Sequence, residues 1–140
     1  MRGIGLLPLK TTFLAQKITR QTYSKSIWPC LSEINGFEIH NGITELDKSQ
    51  KSLKIMPIFK DAELGWYREN EGGGTIAGTY LHGIFENDKW RAQYINLIRK
   101  SKKLPTVDKK TRSYKIKRES IIDNLANEFN KHLNISSLLN

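Results

Sequence analysis

The chain has 140 residues, a net charge of +9, 38% hydrophobic residues and one cysteine. Such a length suits one domain or part of a larger one. No apolar run approaches the roughly 20 residues that span a bilayer, and the start lacks the long apolar region of a signal peptide, so a cytoplasmic protein without a membrane partner is expected. A lone cysteine excludes an internal disulfide and a Cys-cluster metal site, and three histidines far apart in sequence offer no metal-ligand spacing.

In chain order, residues 3–9 form an apolar, turn-like segment with two glycines and a proline. Residues 17–23 (KITRQTY) place β-branched residues in near alternation and predict a strand. Residues 24–35 are polar with Pro29 and predict a loop. Residues 36–40 predict a second strand between Asn-Gly turn signals, and residues 54–59 a third. Residues 69–74 (ENEGGG) read as a hairpin-like loop and 75–81 as a fourth strand. From Asn87 or Asp88, both N-cap types, Trp90, Tyr94, Leu97 and Ile98 recur at helical spacing. Residues 104–114 are a basic linker. A last helix is predicted over 117–133, where Ile121, Ile122, Leu125, Ala126, Phe129 and Leu133 form one stripe expected to pack in the core. The fold class is α/β: an incomplete sheet with two late helices, strand-rich over 1–86 and helical over 87–140. A complete doubly wound domain would alternate strand and helix from the start.

The positive charge has two readings, an anionic partner such as RNA or a polycarboxylate, or solvated lysine-rich faces. The basic residues are spread out, with one denser zone over 99–118. No aromatic-interleaved RNA motif accompanies them, so the second reading is preferred and a nucleic-acid partner is not expected.

Three groups invite a chemical reading. His82 falls where a strand ends, between Gly78 and Gly83 and just before a helix start. An isolated histidine is commonly satisfied by backbone, but this setting suits a general base at a sheet edge. Glu38 and His40 share one face of their strand by alternation; they are either a substrate-side polar pair or the solvent face of an edge strand. Cys30 has no glycine within five residues and no helical pattern behind it, so it reads as an incidental thiol, not a nucleophile held at a tight turn. His132 is expected at the surface. No Gly-x-Ser-x-Gly elbow or phosphate-binding loop is present.

Four ordered segments carry a family resemblance: G-I-G-L-L-P with Thr12-Phe13; K-I-T-R-Q at 17–21; G-F-E-I-H-N-G-I-T at 36–44; and residues 78–88 (GTYLHGIFEND) with Trp90-Arg91. In this order they resemble the C-terminal class I glutamine amidotransferase domain, of flavodoxin-like fold, in the cobyric acid synthase family. The resemblance implies a glutaminase that supplies ammonia for amidating corrin-ring carboxylates in cobalamin biosynthesis. His82 would be its catalytic histidine, partner to a cysteine. Many class I members carry a glutamate two residues after this histidine; here Ile84 stands there, implying a dyad. The family's cysteine elbow and synthetase domain lie upstream of the segment this chain resembles. The resemblance therefore implies a part inactive alone, or one half of a split enzyme completed by a separate chain. ATP, Mg and glutamine would be used at regions outside it, with no cofactor bound by this chain. A basic nucleic-acid-binding module is the remaining alternative.

Overall fold

The computed structural model describes residues 3–49, 53–107 and 113–132. Two long strands dominate it, β1 (Leu9–Ser26) and β2 (Ser32–Leu46). They pair antiparallel from Leu9↔Leu46 to Ser26↔Ser32. The expected loop over 24–35 thus shrinks to residues 27–31. Polar residues there are strand residues whose side chains have partners: Ser26 Oγ donates to the carbonyls of Cys30 (2.7 Å) and Ser32 (3.3 Å). The register breaks between Phe13 and Ile18, where four residues of β1 oppose one of β2, a bulge that bends the hairpin.

Strands β3 (Met56–Pro57), β4 (Gly65–Glu69) and β5 (Thr75–Thr79) form a second antiparallel sheet in the order β3-β4-β5. The glycine-rich hairpin falls where expected. Gly73 takes a positive φ of 80° and donates to Asn70 O, while Asn70 N–H donates back to Gly74 O. The predicted strand over 75–81 divides, because β6 (Leu81–His82) leaves β4 and pairs with β2. Thr79 makes the transfer: its hydroxyl donates to Leu64 O (2.8 Å) and accepts from Leu81 N–H (2.9 Å). This local side-chain bond replaces a ladder bond and turns the chain from one sheet into the other.

The core lies between the sheets and helix α1 (Asp88–Ser101), built from Trp28, Ile34, Ile58, Phe59, Leu64, Tyr67, Leu81, Ile84 and Trp90. Trp28 stacks on Tyr67 at 4.4 Å and meets Trp90 and Tyr94 edge-on. The result is the α/β class expected, with two three-stranded sheets and two α-helices among the described residues. Among the described residues no helix is long and apolar enough to cross a membrane.

The last helix, α2 (Tyr114–His132), starts three residues earlier than predicted. Two acceptors explain this. Ser113 Oγ accepts from Ile116 N–H, and the Asp88 carboxylate accepts from Tyr114 N–H at 2.9 Å. The first was readable from sequence; the second comes from another helix. The expected core stripe on α2 is not buried: Ile121, Ile122, Leu125 and Phe129 are 50–57% exposed. Among the described residues, the bonds that tie α2 to other elements lie near its start: Tyr114 N–H to Asp88 of α1, and the Arg118 ion pair with Glu86, in the 3₁₀ turn before α1. Periodicity marks the face of a helix that is apolar but does not supply its neighbour. Leu133 lies outside the described residues.

Candidate functional site

Strand β2 separates two polar arrangements by its alternation. Cross-strand partners share a face, and the pairs are Phe37↔His82 and Glu38↔Leu81. Hence His82 stands with Phe37 on one face, while Glu38 and His40 stand on the other. The structure does not bring the three predicted site residues together.

The inner face holds a hydrogen-bonded network. Glu38 is only 2% exposed. One carboxylate oxygen accepts from Arg20 Nε (2.8 Å) and Thr22 Oγ1; the other accepts from His40 Nε2 (3.1 Å). His40 Nδ1 lies 2.8 Å from Gly42 O. Both partners of the ring are acceptors, so it donates to both only when both nitrogens carry protons. The ring stacks on Tyr80 at 4.0 Å, and Tyr80 Oη bonds Thr44 Oγ1. These side chains line a cavity of about 630 Å³. The solvent-facing edge-strand reading is thereby overturned: β2 is the middle strand of its sheet, and Glu38 is among its most buried residues. Alternation named Glu38 and His40 from sequence. Arg20, Thr22 and Tyr80 were missed because placing them needs the register, which sets Arg20 against Glu38.

Burial pushes the Glu38 carboxyl up, but the bonds from Arg20, Thr22 and His40 outweigh it and hold the group at about 2, below its ordinary 4.5. Its contribution to stability is complete above about pH 4.5 and disappears as the pH falls toward 2. Urea midpoints measured between pH 6 and pH 2.5 are expected to fall across that window, and Glu38→Gln is expected to flatten the fall. Equal slopes in the two proteins would contradict this assignment.

On the outer face, His82 ends β6 and is exposed. Its ring lies parallel to that of Phe37, 5.1 Å between centroids and 8° between planes. Gly83 follows with a φ of 78°, turning the chain into a 3₁₀ turn at Ile84–Glu86. Asn87 then bridges back to β2: its side chain accepts from Asn35 N–H (2.9 Å) and donates to Asn35 O (2.8 Å). The helix start behind His82 is thus tied to the strand beside it.

Cys30 sits at the β1–β2 turn, beyond the Ser32 end of β2, while His82 pairs with Phe37. Phe37 lies five residue steps along the extended strand from Ser32, about 16 Å. Burial also raises the Cys30 thiol above its ordinary range, despite Lys89. Position and electrostatics both oppose a nucleophilic role. His132 is exposed near the end of α2. Among the described residues no cluster of three or more His, Cys, Asp or Glu could hold a metal ion.

Residues 1–90, which include both faces of β2 and the whole His82 turn, match the family described as the CobB/CobQ-like glutamine amidotransferase domain. The chain belongs to this family. It is 74% identical over 140 residues to cobyric acid synthase of Prochlorococcus marinus (strain MIT 9312), covering 100% of this chain and 28% of that protein. Against cobyric acid synthase of Synechococcus sp. (strain CC9311) it is 41% identical over 142 residues, covering 99% of the chain and 28% of the relative. The chain thus corresponds to the C-terminal part of these amidotransferases and spans little more than a quarter of their length. No solved structure matches it.

Proposed function

We propose that this chain carries the histidine side of a cysteine–histidine glutaminase, feeding ammonia to the amidation of corrin-ring carboxylates in cobalamin biosynthesis. The observation supporting this is the setting of His82: exposed at a strand end inside the family match, with both ring nitrogens free of bonds to described residues. A cysteine thiolate from the remainder of the amidotransferase attacks the glutamine amide carbon. Imidazolium His82 gives its proton to the departing nitrogen, releasing ammonia and leaving a thioester. His82 then takes a proton from water as the water attacks the thioester, and glutamate leaves with the thiolate and imidazolium restored. The carboxylate acceptor is activated in a part of the enzyme that this chain does not span, and no residue here is assigned to that step.

The test is a chimera: the full-length MIT 9312 relative, with its matching 28% replaced by this chain. It is expected to release ammonia from glutamine. His82→Ala should lower that rate by about 100- to 10,000-fold, the usual scale for a general acid–base group, while Cys30→Ser leaves it within about twofold, as for a thiol outside the chemistry. Unchanged ammonia release in His82→Ala would refute the reading.

A further inference from the structure

We infer that Phe37 is the positioning residue of the His82 imidazole, holding its plane by stacking where a triad would hold it by a carboxylate. This rests on His82 being the catalytic histidine. Position 84, where a hydrogen-bonding glutamate would orient the ring, is Ile84, and it is buried in the core. Among the described residues no side chain or carbonyl bonds the His82 ring nitrogens, and the contact the ring does make is with Phe37.

The stack has a rigid base on both sides. Phe37 lies between Gly36 and Glu38, and Glu38 is anchored on the opposite face by Arg20, Thr22 and His40. His82 follows Leu81, which is buried on that same opposite face. Both aromatic residues therefore rise from backbone that cannot shift freely. Parallel, offset rings at this separation attract and resist tilting. A stack also spends neither nitrogen. A carboxylate would occupy one of them, whereas here one nitrogen can face the cysteine and the other water or the leaving group. That arrangement suits a two-residue mechanism with no third acceptor.

The test uses the chimeric enzyme, with ring-labelled histidine for NMR. His82 is assigned as the resonance lost in His82→Ala. Phe37→Leu, which keeps the position apolar, is expected to lower kcat for glutamine hydrolysis about 3- to 10-fold, the scale of one aromatic pair. KM should stay within about twofold, because the contact is to a side chain of the enzyme and not to substrate. The His82 ring-proton signal should lose its ring-current displacement, with the indole signals of Trp28, Trp66 and Trp90 unmoved as the control for folding. Phe37→Tyr should restore both. The inference is overturned if the His82 signal moves in Phe37→Leu while kcat does not, if only KM rises, or if the parent shows no displacement. In each of these cases a low rate in His82→Ala leaves the catalytic reading standing. A normal rate in His82→Ala removes both.

Discussion

Replacing Gly36 with alanine is expected to destabilise the chain by about 3 kcal/mol, the upper range for forcing extra atoms into a closed space. A Cβ built on Gly36 would lie 2.2 Å from the carbonyl oxygen of His82 and 2.9 Å from two side-chain carbons of Leu81. Leu81 is fully packed, and the carbonyl belongs to the β6 backbone, so neither can yield by a rotamer change. The remaining outcome is separation of β6 from β2, which also breaks the Phe37–His82 stack and the contacts around Leu81. Urea denaturation would show the lower midpoint. Faster hydrogen exchange at Leu81 and His82 would localise it. A midpoint within error of the parent would mean that β6 does not approach β2 this closely.

Trp90→Ala should have an effect of similar or greater size, about 4 kcal/mol by the usual cost of removing a buried indole. Trp90 is buried on α1, stacked on Tyr94 at 5.2 Å and meeting Phe85 and Trp28 edge-on. Its Nε1–H donates to Trp28 O at 3.0 Å, which fastens the helix to the β1–β2 turn. Trp90→Phe would keep most of the packing but leave that carbonyl unpaired, at about 1–2 kcal/mol. The ordering parent, Phe, Ala in thermal unfolding tests both contributions at once. Equal stability of the Phe variant and the parent would show that the indole hydrogen bond contributes nothing.

Features held by neighbouring residues were legible in the sequence. The turn at 70–74 needs only its glycines, α1 only its apolar spacing, and the Glu38–His40 pair only strand alternation; Asn87 precedes α1 as expected, but its side chain bonds Asn35 and does not cap the helix. Features set by distant partners were not. Residues 9–13 (LKTTF) alternate poorly, and they are strand because β2 lies beside them. That pairing also puts Arg20 against Glu38 and so determines which carboxylate is buried. The separation of His82 from Glu38 and His40 follows from a single residue of register, which no local pattern reports. The stripe on α2 is the converse case: a clear local pattern whose partner is not among the described residues.

Thr79 has a consequence for how the molecule comes apart. Its one hydroxyl joins Leu64, next to β4, to Leu81, the first residue of β6. Neither sheet can open at that edge without stretching the other. The chain around His82 therefore does not behave as a fraying end with its own low opening energy. It belongs to a cooperative unit that includes both sheets, and the orientation of one exposed imidazole inherits the stability of the whole strand assembly.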